Sequence, residues 1–359
     1  MSKSNALILI SNTALPSTRI GSWVTRMNSL LERHPIFDYI LSPTTAANTN
    51  VYAKKRKFIS YLPLIRKQML TAWVAKDYVK AVKKIAKNHD KITIVVMDDP
   101  HLVAAMVHIK PKLACKVNLI FSFHGFRLSI DEILLERIDQ VLFLSDAGRL
   151  ASIAAYKDFK PKATVVWNGV SSEKFYPLSS SEKTKLRESL GFKEQDKLVI
   201  WMANDRPLKG FSILQSMADQ LLQIHENVKI ITIGTTQQID SEGVFAVGRL
   251  PHDQIPRYLQ IGNVYLFTSL YEEGFGLSMI EALKCGNEVI ATNNGAIPNV
   301  LADLPKTHIV QDAKDTTQWL SAVTSVFSNP TVQTVTNQET DSIWSYSDWE
   351  KRFIDAILT

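Results

Sequence analysis

The chain has only two cysteines in 359 residues. Cys115 and Cys285 lie far apart in the sequence, with no C-x-x-C pair and no His/Cys cluster around them. A disulfide framework and a structural zinc site are therefore not expected. No apolar run reaches the roughly 18 residues that cross a bilayer, and the first run, Ala6–Ile10, is too short for the core of a signal peptide. These absences indicate a protein of a reducing cytoplasm.

Several common catalytic and nucleotide-binding motifs are also missing. The chain contains no G-x-S-x-G nucleophile motif, no Walker loop, no zinc-ligand pattern and no G-x-G-x-x-G fingerprint. Asp98 and Asp99 follow a predicted strand, but adjacent aspartates lack the D-x-D spacing of a metal-binding pair. We interpret them as a capped strand end.

Basic residues are concentrated in the first half of the chain. Residues 1–170 hold 25 Lys and Arg against 12 Asp and Glu, whereas residues 171–359 hold 16 against 23. Within residues 53–91 the excess reaches 12 basic against 2 acidic residues. The two halves are therefore expected to have different surroundings or partners.

The basic stretch, residues 53–91, opens with Lys54–Lys57 and mixes cations with apolar and aromatic side chains such as Phe58 and Trp73. Cations beside exposed aromatics suit anionic lipid headgroups. We therefore expect a cytoplasmic protein whose basic stretch contacts the anionic inner face of the cytoplasmic membrane. A solvated lysine-rich helix face is the alternative. Nucleic acid is the other physical option, but no nucleic-acid-binding motif supports it, and we expect no such partner.

Short apolar runs alternate with helical patterns along the whole chain. The alternation predicts the α/β class, with parallel sheets covered by helices on both faces. A chain of 359 residues suits two domains of roughly 150–200 residues each. The turn signal Asn168-Gly169 and the later Pro177 place a boundary within residues 168–197. The predicted strands are Ala6–Ile10, Thr93–Met97, Val117–Phe123, Val141–Leu144, Thr164–Trp167, Leu198–Met202, Val228–Ile233, Val244–Val247, Val264–Phe267, Val289–Ala291 and His308–Val310.

The most informative segment is residues 269–300, where a glycine-containing loop follows a predicted buried strand and leads into a helix. Gly274 and Gly276 let the backbone approach a ligand closely. The helix that starts near Leu277 offers free N–H groups and the positive end of its dipole, which suit a diphosphate. A strand, a loop and a helix in this order are also common in any doubly wound domain.

Two glutamates, Glu273 and Glu281, stand eight positions apart in this segment. One lies on the loop and one on the helix, so both can face one ligand, and carboxylates suit sugar or ribose hydroxyls. From spacing alone, two solvated glutamates are the more common outcome. The segment, however, resembles the E-x7-E signature of family 4 of the retaining GT-B glycosyltransferases.

The resemblance covers nearly the whole chain, with its motifs in family order. They are the interdomain stretch Val166–Val170 with Phe175 and Pro177, the base-contacting turn Val247–Leu250, the H-G element His124-Gly125 and the basic K-G element Lys209-Gly210. The resemblance implies a GT-B fold, in which two Rossmann-like, doubly wound domains face each other across a cleft. It implies an acceptor-binding domain over residues 1–170, a donor-binding domain over 171–340, and a helix within 341–359 that crosses back to the first domain.

The resemblance also implies roles for residues of the second domain. Glu281 is expected to hold the ribose of the donor, and Glu273 to contact the donor sugar ring. The other implied donor-binding residues are Gly274, Phe275, Gly276 and Leu277 for the sugar hydroxyls and phosphate, and Arg249 and Leu250 for the base.

A basic pair is expected to neutralise the leaving diphosphate in place of a metal, so neither a metal nor a cofactor is expected. Fixed cations stabilise the charge that develops on the leaving phosphate in the transition state. Lys209 supplies one cation. The family's arginine, five residues earlier, is replaced here by Asn204. Either the loop is shorter and Arg206 serves instead, which we favour, or one cation is missing.

Two residues of the first domain complete the implied site. Gly21, between the first strand and a helical stretch, is expected to direct its amide at the diphosphate, although an ordinary loop glycine is the alternative. His124 ends a strongly apolar strand, and strand ends are where α/β folds place ligands. It is expected to contact the donor sugar and the reacting centre.

The resulting expectation is a retaining glycosyltransferase that moves a hexose-like sugar from a nucleoside-diphosphate sugar to a glycan or lipid-linked acceptor, during assembly of a bacterial surface polysaccharide. One rival is another enzyme on the same fold, such as a sugar-nucleotide epimerase or an inverting transferase. The other is a non-catalytic sugar-nucleotide-binding scaffold, which the Asn204 departure keeps open.

Overall fold

The computed structural model describes residues 5–17, 22–56, 73–329 and 342–359. By their internal contacts the residues form two compact units, Met1–Val166 with Glu350–Thr359, and Trp167–Trp349. Each unit has its own parallel sheet and its own hydrophobic core.

Seven parallel strands form the sheet of the first unit: β1 (Asn5–Ile10), β2 (Tyr39–Ser42), β3 (Asn50–Tyr52), β4 (Lys91–Met97), β5 (Lys116–Ser122), β6 (Gln140–Phe143) and β7 (Lys162–Val165). Their order is β3-β2-β1-β4-β5-β6-β7. The α-helices among the described residues of this unit are α1 (Ser22–Arg33), α2 (Lys76–Ala86), α3 (Pro100–Ile109), α4 (Glu132–Leu135) and α5 (Asp146–Ala154). Ile8, Leu9 and Ile10 have no exposed surface, as expected for a central strand buried on both faces.

The second unit has six parallel strands: β8 (Lys197–Met202), β9 (Val228–Ile233), β10 (Val244–Gly248), β11 (Val264–Phe267), β12 (Glu288–Thr292) and β13 (Thr307–Val310). Their order is β10-β9-β8-β11-β12-β13. The helices are α6 (Ser180–Ser189), α7 (Phe211–Gln223), α8 (Ile255–Ile261), α9 (Leu277–Lys284), α10 (Ile297–Leu301) and α11 (Thr316–Ser328). Trp201 and Trp319 fill the core between sheet and helices.

Both sheets are doubly wound, because the strand order reverses beside β1 in one and beside β8 in the other. In such sheets ligands bind beyond the carboxyl ends of the strands, next to the reversal. The predicted α/β class with two doubly wound sheets is confirmed.

The predicted strands agree with the observed ones to within a few residues, but β2 and β3 were not predicted. Both are short, and β3 joins the sheet only at its edge, beside β2. Their pairing is set by the neighbouring strand rather than by a strong apolar run of their own.

The last helix, α12 (Tyr346–Leu358), begins in one unit, and its residues from Glu350 onward group with the other. Within the first unit, Glu350 forms an ion pair with Arg33 at 3.2 Å, and Phe353 is buried. Among the helices of the described residues, none combines the length and the apolar character needed to cross a membrane.

Candidate functional site

The loop between β11 and α9 carries the predicted E-x7-E segment. It enters the helix through Gly276, whose φ of +84° belongs to the left-handed region. That conformation favours glycine. A Cβ here would also lie 3.1 Å from the side chain of Met279. The first backbone N–H groups of the helix that follows have no carbonyl of a preceding turn to donate to. The start of this helix is therefore suited to binding an anion.

Glu273 lies on this loop, in contact with a residue far away in sequence. Its Oε1 accepts hydrogen bonds from Lys209 Nζ at 2.5 Å and from Ser269 Oγ at 2.7 Å. The side chain of Glu273 is 12% exposed and that of Lys209 is 23% exposed. Lys209 and Glu273 therefore neutralise each other in a setting where water screens their charges only in part.

The loop before Lys209 is held against the end of β11 by a glycine. Gly210 has φ +77°, and a Cβ on it would lie 2.0 Å from the carbonyl oxygen of Thr268. Thr268 Oγ1 donates to the Gly210 carbonyl at 2.9 Å and accepts from Trp201 Nε1 at 2.8 Å. This close approach brings the lysine to Glu273.

The turn at residues 204–206 contains a carboxylate that sequence reasoning missed. Asp205 accepts hydrogen bonds from Thr235 Oγ1 at 2.7 Å, from the Thr236 amide at 2.7 Å and from the Arg249 guanidinium at 2.8 Å. These bonds, the one from Thr235 foremost, hold the pKa of Asp205 well below its usual range. The carboxylate joins the ends of β8, β9 and β10, and it fixes the predicted base-contacting arginine.

Asn204 and Arg206 stay within the same turn. The Asn204 side-chain oxygen accepts from the Arg206 amide at 3.1 Å, so the asparagine shapes the loop. Arg206 is the arginine nearest to Lys209 in the sequence, and its role as the second cation stays a prediction. Leu250, on the turn after β10, is half-buried.

Glu281 lies on α9 and is 4% exposed. Its Oε1 is 3.5 Å from Nε2 of His252, a residue that was not singled out from the sequence. Phe275, also on the loop, is buried and packs edge-on against Trp344, with ring centroids 5.4 Å apart.

His124 belongs to the first unit, at the carboxyl end of β5. Its Nε2 is 3.2 Å from Ser122 Oγ, and its ring packs edge-on against Trp23 at 5.7 Å between centroids. Burial, with a smaller contribution from nearby Arg26, lowers the pKa of His124 to about 3. The imidazole is therefore neutral at physiological pH.

Asp98 and Asp99 have different surroundings. The His124 amide donates to Asp98 Oδ1 at 2.9 Å, yet burial, with a smaller contribution from Asp99, raises the pKa of Asp98 to about 6. Asp99 caps α3 by accepting from the amides of His101 and Leu102. The sequence predicted a capped strand end, and the structure shows that Asp99 instead caps the start of the following helix.

Gly21 and residues 57–72 of the basic stretch lie outside the described residues. In the described part, Lys55 Nζ donates to the buried carboxylate of Asp99 at 2.7 Å. Arg56 lies over the ring of Trp73, 4.8 Å from its centroid. These two cations therefore have partners within the protein.

The exposed face of α2 carries most of the remaining positive charge in the described part of this stretch. Its lysines recur at helical spacing and are all exposed, and Trp73, just before the helix, is 45% exposed. They are Lys76, Lys80, Lys83 and Lys84, and the exposed Lys87 directly follows the helix.

Solved structures of several sugar-transferring enzymes share this fold. Sucrose-phosphate synthase from Thermosynechococcus elongatus superimposes with a TM-score of 0.74 at 16% identity, covering 99% of this chain and 98% of that one. HepE from Anabaena, in complex with UDP and glucose, superimposes with a TM-score of 0.73 at 15% identity, covering 99% of both chains. The predicted GT-B fold is confirmed.

Residues 182–342 match the family model described as Glycosyl transferases group 1. This match covers 161 of the 359 residues and agrees with the resemblance that the sequence predicted. The phosphatidylinositol N-acetylglucosaminyltransferase GPI3 subunit of Saccharomyces cerevisiae is 30% identical over 179 residues, 46% of this chain and 38% of that protein. D-inositol 3-phosphate glycosyltransferase of Segniliparus rotundus is 27% identical over 199 residues, 52% of this chain and 43% of that protein. The chain spans less than half the length of these two relatives.

Proposed function

We propose that this protein is a retaining glycosyltransferase that moves a hexose-like sugar from a nucleoside-diphosphate sugar to a glycan or lipid-linked acceptor. The observation that carries the proposal is the pairing of Lys209 with Glu273 on the E-x7-E loop, beside the helix that carries the buried Glu281. Two carboxylates, one cation and one helix start together offer partners for the sugar, the ribose and the diphosphate of a single donor.

In this proposal the leaving diphosphate is stabilised by the chain itself. The start of α9 supplies N–H donors, and Lys209 leaves Glu273 to meet the phosphate oxygens. Glu273 is then free to accept hydrogen bonds from sugar hydroxyls. Charge grows on the leaving phosphate as the glycosidic bond breaks, so these groups bind the transition state more strongly than the donor. Arg206 is the second proposed cation, and no resident metal or cofactor is required.

His124 and Asp98 are the proposed contacts of the first unit with sugar hydroxyls. A neutral imidazole donates from one ring nitrogen and accepts at the other, so His124 suits a hydroxyl better than an anion. With a pKa near 6, Asp98 is mostly ionised at pH 7 and accepts a hydrogen bond from a hydroxyl. We assign neither residue the role of general base, since the departing phosphate oxygen can take the acceptor's proton from the same face.

The acceptor is proposed to be lipid-linked. The exposed lysines of α2 and the neighbouring Trp73 suit an anionic membrane surface, which is where such acceptors reside. The name of the yeast relative also points to a phosphatidylinositol acceptor in that protein. We place this chain in the assembly of a bacterial surface polysaccharide, acting from the cytoplasmic side of the membrane.

A thermal-shift panel tests the donor site directly. UDP-, GDP-, ADP- and dTDP-sugars are added to wild type and to Glu281→Ala, in each case with and without EDTA. A donor at 100 times its dissociation constant stabilises the fold by about 2.7 kcal/mol, a shift of several degrees. We expect one nucleotide class to stabilise the wild type but not the variant.

Other outcomes of this panel have distinct meanings. No shift with any donor contradicts the proposed site. A shift that EDTA abolishes contradicts metal independence. Donor binding without turnover on polyprenyl-diphosphate, phosphatidylinositol or soluble sugar acceptors favours the alternative that the protein is a non-catalytic sugar-nucleotide-binding scaffold. Where product forms, the configuration at its anomeric carbon, read by NMR coupling constants, separates retention from inversion.

A further inference from the structure

The carboxylate of Glu281 faces a histidine that makes no hydrogen bond with it. His252 Nε2 lies 3.5 Å from Glu281 Oε1, beyond the usual N–H···O range of about 2.7–3.2 Å. This nitrogen is buried, and within the described residues it has no hydrogen-bond partner. A buried polar atom without a partner is uncommon in native proteins and calls for a physical explanation.

The histidine ring is also held by an aromatic contact. It packs edge-on against Phe175, with ring centroids 5.7 Å apart and an interplanar angle of 74°. Phe175 is only 2% exposed. The backbone around the histidine forms a turn, in which the Gln254 amide donates to the Pro251 carbonyl at 3.0 Å. The ring therefore has little freedom to move away from Glu281.

We propose that His252 is a positioning residue for Glu281. When ribose hydroxyls engage the carboxylate, a shift of a few tenths of an ångström brings Glu281 Oε1 within range of the His252 Nε2–H. That bond fixes one carboxylate oxygen and leaves the other acceptor sites directed at the ribose. The inference rests on the proposed function, because it assumes that Glu281 is the ribose-binding residue.

The test compares the ribose with its deoxy forms, because a positioning residue acts only through the hydroxyls. The probes are the nucleoside diphosphate selected by the thermal-shift panel and its 2′-deoxy and 3′-deoxy forms, titrated calorimetrically into the purified full chain. The wild type should bind the ribose form more tightly than at least one deoxy form. Loss of a hydrogen bond to a charged group costs about tenfold in affinity or more, so His252→Ala should reduce that preference by about tenfold.

Two variants separate positioning from packing. His252→Gln places an amide N–H near the position of Nε2, and it should restore much of the ribose preference. Phe175→Leu loses the ring contact but keeps the histidine, so it should lower the melting temperature while leaving the preference largely intact. In turnover assays, His252→Ala should raise the KM for the donor more than it lowers kcat.

The remaining outcomes overturn the inference in distinguishable ways. If His252→Ala weakens the ribose and deoxy forms equally, the histidine only packs, and the proposed function is untouched. If His252→Gln behaves like His252→Ala while both variants keep the wild-type melting temperature, the hydrogen bond is not the cause. If the wild type binds no nucleoside diphosphate, the proposed function itself fails, and the inference fails with it.

Discussion

At the scale of single residues, two neighbouring aspartates show how burial decides chemistry. Asp99 is buried, but it has a lysine and two helix amides as partners. Asp98 is held in the left-handed region with φ 39°, and burial raises the pKa of its carboxyl to about 6. The two residue types are identical, so the sequence alone does not separate them.

Replacing Asp98 by asparagine should stabilise the protein at neutral pH. The folded-state pKa lies above the ordinary value, so the ionised form weakens the fold, fully so above about pH 6. Below about pH 4 the carboxyl is protonated in both the folded and the unfolded state, so the substitution gives no gain in the free energy of unfolding. Asparagine keeps the acceptor for the His124 amide and tolerates positive φ.

We therefore expect Asp98→Asn to raise the free energy of unfolding by about 1 kcal/mol or less at pH 8, because Asp98 is exposed and solvent screens much of the effect. Urea denaturation at pH 8 and again at pH 4 measures the effect. An equal gain at both pH values would assign it to something other than ionisation.

At the scale of elements, the approach of one loop to one strand builds the proposed donor site. Gly210 allows the turn before α7 to touch the end of β11, and this contact sets the position of Lys209 beside Glu273. A side chain at this glycine meets the Thr268 carbonyl, which belongs to the backbone and cannot rotate away.

The variant Gly210→Ala should destabilise the protein by several kcal/mol, since steric overlap adds to the cost of roughly 1–2 kcal/mol for a left-handed alanine. Gly191→Ala is the matched control, with φ +83° and no atom within 4 Å of its Cβ position. The Gly191→Ala variant should lose only the stability that a left-handed alanine costs, without a contribution from steric overlap. Chemical denaturation of both variants provides the comparison, and equal losses would show that the Thr268 contact carries no cost.

Much of this architecture follows from local pattern. Strands such as Val228–Ile233 were predicted with the bounds that the structure has, and the helix predicted to start near Leu277 begins at that residue, because apolar periodicity is a local property. The roles of Asp205 and His252 are not local. Asp205 joins Thr235 and Arg249 only because β8, β9 and β10 are neighbours in the sheet, and strand order cannot be read from residue types.

The resemblance supplied what periodicity could not. Spacing alone did not distinguish Glu273 and Glu281 from solvated glutamates. Sequence spacing also gave no indication of the contact between Glu273 and Lys209, which lie 64 positions apart. The roles of these residues toward a donor stay predictions, and the thermal-shift panel is their test.

At the scale of the whole molecule, charge is distributed unevenly along the chain, with the basic excess in residues 1–170. Lys55 and Arg56 are engaged within the protein, so neutralising them would perturb the fold. The exposed lysines of α2 are the better target for a membrane-binding test.

Neutralising three lysines of α2 should weaken binding to vesicles of phosphatidylcholine and phosphatidylserine by about 100-fold, at about 1 kcal/mol for each cation near the surface. Vesicle cosedimentation at low and high salt measures the loss. The test variant changes Lys80, Lys83 and Lys84 to Gln, and the control variant changes the exposed Lys185, Lys193 and Lys314 to Gln. Equal losses in both variants, or none in either, would reject α2 as the contact surface.

The ion pair between Lys209 and Glu273 also bears on competition from ordinary anions. Phosphate or pyrophosphate offers negative charge only, so drawing the lysine away would leave a largely buried carboxylate without its cation. A nucleotide sugar brings an anion for the amine and hydroxyls for the carboxylate, and it can replace both partners at once. Under the proposed function, the pair makes the site selective for ligands that carry both groups and resistant to inhibition by the small anions around it.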